Sequence, residues 1–306
     1  MELSITVALQ VCIMAILIVV GYVLTKAKII NQTGARQMSD VLLMIVTPCV
    51  LIQSYQIDFE VNMAIGLGIA ALLALGIHIV GIAVVPLLFR REQTNHYRID
   101  RFAAIYSNCG FMAIPILGAV LGSEGVFYGS AYLAVFTALS WTHGIFLYTG
   151  DKKSLSIRKI LLNPGVIGIV IGLLLFFCRI RLPYVLSASV DYIAALNTPL
   201  AMLLLGVFLS DIQFRRALSN LSLYKVSAVR LLILPLVALI GFKLFHIDAL
   251  IAAAVMIPAA CPSANIAALF AARFDLDTGY ASELVAINTL FSILTIPLIM
   301  AVNAMW

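Results

Sequence analysis

Charge is what this sequence has least of. Of its 306 residues only 11% are Asp, Glu, Lys or Arg, where a soluble domain carries about 25%. Hydrophobic residues make up 63%, and the mean hydropathy is +1.10. A soluble core of this size cannot hide so much apolar surface, so lipid is the expected solvent. Nucleotide-binding glycine loops are absent, as are H-E-x-x-H and G-x-S-x-G motifs, and no nucleophile and base pair stands out. An enzyme is therefore not expected. The five cysteines, Cys12, Cys49, Cys109, Cys178 and Cys261, all lie in apolar runs and form no C-x-x-C pair, which argues against disulfides and zinc. No cofactor or metal is expected. The net charge of +5 comes from short basic clusters between apolar runs, not from a basic face interleaved with aromatics, so a nucleic-acid partner is not expected.

What is present is a series of long apolar runs. A span needs roughly 20 apolar residues. Runs fall at about 5–25, 40–56, 62–89, 102–121, 126–148, 164–180, 188–209, 222–244, 248–271 and 279–302. The first lacks a basic leader and a good cleavage site, and reads as a retained span. The expectation is an all-α membrane protein of ten transmembrane helices.

Lys and Arg gather in the odd-numbered connections. These hold Lys26, Lys28 and Arg36; Arg90, Arg91, Arg98 and Arg101; Lys152, Lys153, Arg158 and Lys159; Arg215 and Arg216; and Arg273. The even-numbered connections hold only Arg179, Arg181 and Lys243. The basic side is expected to be cytoplasmic, with both termini outside the cell membrane.

The chain divides into two halves, 1–150 and 151–306. The second run has Thr47-Pro48 and is followed by Asp58-Phe59; the seventh has Thr198-Pro199 and is followed by Asp211 and Phe214. The Thr-Pro pairs lie 151 residues apart. Five spans per half is an odd number, so the halves are expected to insert in opposite orientations, as inverted repeats.

The fourth run of the first half reads Ser107-Asn108-Cys109-Gly110-Phe111-Met112-Ala113-Ile114-Pro115. Its counterpart reads Pro258-Ala-Ala-Cys261-Pro262-Ser263-Ala264-Asn265. Proline removes a donor and clashes with the carbonyl one turn back, while glycine loosens the backbone. Interrupted helices at matching places point to a midplane site. Gly110, Pro115, Pro258 and Pro262 are the expected helix-breaking residues. A broken helix offers free N–H groups and a positive dipole end, which suit a small carboxylate, and Ser107, Asn108, Cys109, Ser263 and Asn265 add neutral contacts. Thr47 and Pro48 are candidates for the site wall or for scaffold. Intramembrane ionisable groups are functional candidates by default. Arg230 is one: it can draw in an anion, pair with Glu283, or snorkel to the cytoplasmic face. His78 is another, as a proton carrier or a hydrogen-bonded interior histidine. No buried carboxylate cluster is evident, so sodium- or Asp-based proton coupling lacks its obvious parts.

The run Asn108-Cys-Gly-Phe-Met-Ala-Ile-Pro115-Ile-Leu-Gly118 resembles the fourth-helix motif of the auxin efflux carrier family, which includes the plant PIN exporters and bacterial malate and malonate carriers. Ala260-Cys-Pro262-Ser-Ala-Asn265, Ala271-Ala-Arg273-Phe274 and Ser292-Ile-Leu-Thr-Ile-Pro297 are similar to its later motifs. The resemblance implies a fold like that of bile-acid symporters and the NhaA antiporter, with spans 4 and 9 crossing. Spans 1, 2, 6 and 7 would form a scaffold, and spans 3–5 and 8–10 a moving transport domain in an elevator-like, homodimeric carrier. It implies that Asn108 contacts the substrate carboxylate. The plant carriers hold an Asp and a Lys in the third span; Ala71-Leu-Leu-Ala-Leu-Gly-Ile-His78 has neither, which argues against auxin as substrate. The expected function is secondary transport of a small mono- or dicarboxylate. A sodium- or proton-coupled symporter or exchanger of another solute is the alternative, followed by an anion sensor.

Overall fold

The computed structural model describes residues 2–90, 96–150, 158, 161–210, 212, 217 and 219–305. Arg91, Lys152, Lys153, Lys159, Asp211, Phe214, Arg215 and Arg216, and with them the boundary drawn at 150/151, lie outside these residues. Among the described residues every named element is helical, and the one extended pairing is an isolated bridge between Ser107 and Ser263.

The helices run α1 (Glu2–Lys26), α2 (Gln32–Ser54), α3 (Val61–Leu88), α4 (Tyr97–Ile105), α5 (109–121), α6 (123–149), α7 (Pro164–Phe177), α8 (Tyr184–Ser210), α9 (Leu221–Leu244), α10 (Ala249–Ala260), α11 (Ile266–Arg273) and α12 (Thr278–Met305). Seven helical stretches are long and apolar enough to cross a membrane, and α7 and α10 are shorter apolar helices. One of the seven is Cys109–Thr149, 41 residues long. At about 1.5 Å per residue it would measure about 60 Å, twice a bilayer core. It folds back at Gly122, whose φ of 65° and ψ of −158° leave the helical region. A Cβ on Gly129 would stand 2.3 Å from Leu117 Cδ1, so the arms α5 and α6 lie side by side.

The molecule is apolar on its outside as well as its inside. Along α1, Val7, Val11, Met14 and Ile18 are buried, while Ile5, Leu9, Ile13 and Ile16 on the other faces are exposed. A helix apolar all round in this way belongs in lipid. Helix edges depart from the apolar runs. α2 begins at Gln32, not near residue 40, because Asn31 Oδ1 caps Gly34 N at 2.8 Å and the helix continues through a polar first stretch.

Three prolines share one local solution. The π-helical turns Leu42–Val46, Cys109–Ala113 and Val229–Ile233 each end two residues before a proline: Pro48, Pro115 and Pro235. A wider turn relieves the clash between the ring and the preceding carbonyl without ending the helix. At the first of these, Thr47 Oγ1 also donates to Leu42 O at 2.9 Å.

Glycines set the closest helix contacts. A Cβ on Gly206 of α8 would stand 2.1 Å from Ile18 O, and one on Gly21 of α1 would stand 2.2 Å from Leu203 O. On α7, Gly168 abuts Pro48 of α2 and Gly172 abuts Tyr55, the residue that follows α2. Small residues let membrane helices approach to backbone contact.

Candidate functional site

The interruption in the first half is extended backbone, not a kink at proline. α4 ends at Ile105, Tyr106 turns to ψ 119°, and Asn108 caps the next helix. Pro115 lies further on, past the π turn. In the second half Pro258 stays inside α10; the chain leaves the helix at Cys261, whose ψ is 153°, and Asn265 precedes α11. The two extended pieces lie against each other. Asn108 N donates to Pro262 O at 2.7 Å, and Ala264 N donates to Tyr106 O at 2.9 Å. Each break thus supplies the backbone partners that the other lacks, which a membrane interior demands.

One side chain serves the ends of both first segments. Arg230, on α9, is fully buried. Its Nη1 donates to Ile105 O at 2.9 Å and Ala104 O at 3.4 Å, the last carbonyls of α4. Its Nε donates to Cys261 O at 3.2 Å, and its Nη2 to Ala259 O. These are orphan carbonyls at two negative helix ends. Arg230 sits about 14 Å along α9 and does not snorkel. Its guanidinium donates to backbone carbonyls rather than to Glu283.

The opposite ends, the first turns of α5 and α11, carry amide side chains with spare capacity. Asn108 is 3% exposed; its Oδ1 accepts from Phe111 N at 3.4 Å, and its Nδ2 meets no acceptor on the chain. Asn265 is half-buried, and neither Nδ2 nor Oδ1 has a partner on the chain. Beside them Gly110 borders open space, since a Cβ there would meet nothing within 4 Å. Cys109 and Cys261 are buried free thiols.

Ser107 and Ser263 face inward. Ser107 Oγ donates to Tyr132 OH at 3.3 Å, and Ser263 Oγ to Ala103 O at 2.7 Å. His78 joins this group from α3. Its Nδ1 lies 2.7 Å from Ala74 O, its Nε2 has no partner on the chain, and its ring is 5.0 Å from that of Tyr132 and 5.8 Å from that of Tyr106. The structure therefore brings Ser107, Asn108, Cys109, Pro262, Ser263, Asn265, Arg230 and His78 to one junction. Pro48 instead packs α2 against Gly168 of α7, and Thr47 Oγ1 bonds within α2.

Sequence reasoning missed two features. One is Asp100, which is fully buried; Glu283, already a candidate, is buried as well. Asp100 Oδ1 accepts from Tyr280 OH at 2.5 Å, and Tyr280 stacks on His96 at 4.0 Å. Asp100 stands between Arg98 and Arg101 in the sequence and reads as loop; helix α4 begins early enough, at Tyr97, to turn it inward. The other is Asn288, fully buried on α12 with an unpartnered Oδ1. A lone Asn amid apolar residues was the available signal.

Comparison with known sequences agrees with this picture. The family described as "Membrane transport protein" matches over residues 6–158 and 153–300. An uncharacterized transporter of Methanothermobacter thermautotrophicus is 25% identical over 296 residues, covering 92% of this chain and 94% of its own. An uncharacterized transporter of Methanocaldococcus jannaschii is 25% identical over 204 residues, covering 64% and 65% respectively. Lipid-facing helices, paired interruptions and a match along nearly the whole chain converge: this is a multi-pass membrane transporter belonging to the membrane transport protein family, that of the auxin efflux carriers.

Proposed function

We propose that this chain is a secondary carrier of small carboxylates, with its substrate site at the first turns of α5 and α11. The observation that carries this is the pair of amides there: Asn108 Nδ2, almost wholly buried, and Asn265 Nδ2, both without acceptors. A buried donor left unmet is costly, and a carboxylate arriving at two helix N-termini meets it. Neutral donors hold the anion without trapping it.

The architecture supports ten spans in two inverted repeats. Dividing 109–149 at Gly122 leaves α6 as one span and α5, together with α4, as another; with the six other long helices, α7 and the pair α10–α11, the number is ten. Gly21 and Tyr55 lie 151 residues before Gly172 and Gly206, and these four mediate the α1–α8 and α2–α7 contacts. The two backbone bonds at the junction also exchange when the halves are exchanged. These glycine contacts gather the proposed scaffold, spans 1, 2, 6 and 7. A second set, Gly66 on Tyr128 and Ile251 and Gly129 on Leu117 and Ala254, lies within spans 3–5 and 8–10, the proposed moving domain. Elevator-like motion of that domain and a homodimer through the scaffold complete the reading. Cation coupling is a second reading, favoured by buried Asp100 and Glu283.

The test is transport into proteoliposomes of labelled malate, malonate, oxalate, lactate and indole-3-acetate, under an imposed potential, with and without proton and sodium gradients. Saturable uptake of one acid, lost in a folded Asn108→Ala protein, is expected. Uptake unchanged in that variant overturns the role of Asn108. Uptake of none of the acids overturns the carboxylate reading, and dependence on an imposed gradient identifies the coupling ion.

A further inference from the structure

We infer that Asn288 is a specificity-determining residue of the carboxylate site: it accepts a hydrogen bond from a hydroxyl of the substrate, so that the acid carried is a hydroxy acid. The inference rests on the site proposed above and adds to it the class of acid. Asn288 lies on α12 and is fully buried. Its Nδ2 donates to Leu284 O at 3.0 Å, one turn back, which fixes the amide and leaves Oδ1 as the end that meets no donor on the chain. Asn108 is fixed the other way round. Its Oδ1 accepts from Phe111 N, and its Nδ2 meets no acceptor on the chain. One amide therefore offers a donor and the other an acceptor.

The packing of α12 sets these two ends at one level. α12 runs beside α4 and α5 in the same direction: Tyr280 OH donates to Asp100 Oδ1 before the break, and Ser292 Oγ donates to Met112 Sδ at 3.8 Å beyond it. Both pairs are 180 residues apart in sequence, as Asn108 and Asn288 are. Asn288 comes one turn before Ser292, and Asn108 one turn before Met112, whose N donates to Asn108 O at 3.2 Å. Four residues overshoot a full helical turn by only about 40°. Asn288 thus shares the side of α12 that Ser292 turns toward the first turn of α5.

An acid without a hydroxyl answers half of this arrangement. Its carboxylate accepts from Asn108 but brings no donor to Asn288 Oδ1, and a buried acceptor left unmet weakens binding. A hydroxyl on the same skeleton supplies that donor. An ammonium brings three donors to a single neutral acceptor, inside a membrane that offers the surplus no water. A hydroxy acid therefore fits better than an amino acid. A site that hydrogen-bonds a substrate hydroxyl rejects the analogue lacking it far more strongly than an apolar pocket rejects a missing methylene.

The experiment compares acids of one skeleton in proteoliposome uptake at low concentration, corrected for liposomes without protein. Lactate, propionate and alanine form one set, and malate and succinate the other. The expected result is a preference of about tenfold or more for lactate over propionate, or for malate over succinate. In a folded Asn288→Leu protein, similar in volume but without the acceptor, that ratio is expected to fall toward one, with uptake of the acid lacking the hydroxyl retained. Asn288→Ala gives the same measurement where the leucine variant does not fold. A packing defect alone lowers both acids together, so a folded variant that keeps the wild-type ratio overturns the inference. Equal uptake of the paired acids by the wild type, or preference for alanine over lactate, overturns it whether or not a variant folds. Uptake of none of the acids brings down the carboxylate reading and this inference together, whereas equal uptake brings down this inference alone.

Discussion

Single residues in this protein carry unusual weight because hydrocarbon offers a polar group no substitute partner. Basic side chains answer helix carbonyls repeatedly: Lys26 Nζ donates to Ser210 O at 2.8 Å, Arg98 to Tyr148 O at 2.8 Å, and Arg101 to Phe89 O at 2.8 Å. The same pairing recurs at Arg230, moved to the middle of the molecule and doubled. The link between Tyr280 and Asp100 shows what such a contact is worth. Removing the phenol in Tyr280→Phe takes one donor from a buried carboxylate and is expected to cost about 1–3 kcal/mol. A thermal-shift measurement in detergent reads this as a lower Tm; an unchanged Tm would mean that Asp100 is fully served by its other neighbours. Asp100 also shows where reading residues one by one fails. Its neighbours Arg98 and Arg101 suggest a solvated loop, and only the helical phase of α4 turns its carboxylate inward.

At the scale of elements, the recurring device is a helix that is interrupted or widened without losing its backbone partners. Proline residues were legible as breaks, and Pro262 lies in one, but Pro115 and Pro258 do not. Pro115 is accommodated by a π turn, and Pro258 remains inside α10; the true interruptions are extended pieces at 106–108 and 261–264, held by each other. Proline chemistry alone does not say whether a helix widens, bends or stops, since that depends on which partners stand opposite. Close packing by glycine is equally local. Gly206→Leu is expected to force α1 from α8, because the new Cβ meets the backbone of Ile18 and Tyr22 and cannot be relieved by a rotamer change. Gly76→Ala on α3, where nothing lies within 4 Å, is expected to be neutral or slightly stabilising, since alanine is the better helix former by about 1 kcal/mol. Fluorescence-detected size-exclusion chromatography compares the two: loss of the folded peak for Gly206→Leu alone is the expected outcome, and equal behaviour would remove the packing argument.

For the whole molecule, orientation follows from charge. The basic connections, including Arg36, Arg90, Arg98, Arg101, Arg158 and Arg273, are expected to face the cytoplasm, with both termini on the other side. Single cysteines placed at 158 and at 58, in a protein lacking its five native cysteines, are expected to label oppositely with a membrane-impermeant thiol reagent applied outside. Residue 58 should react and residue 158 should not; the reverse pattern would invert the topology. Hydropathy thus made the apolar, membrane-crossing helices readable from residues alone, because it depends on composition summed over a run. The matched motifs around Asn108 and Pro262 were legible as interruptions for the same reason: a broken helix leaves a visible signature in its own sequence. What only the tertiary structure decided is which partners complete those breaks. Arg230 lies 125 residues from Ile105 and 31 from Cys261. Its role as a common cap on two helices belongs to no local pattern, since it comes into being only when α9 is packed against the ends of both.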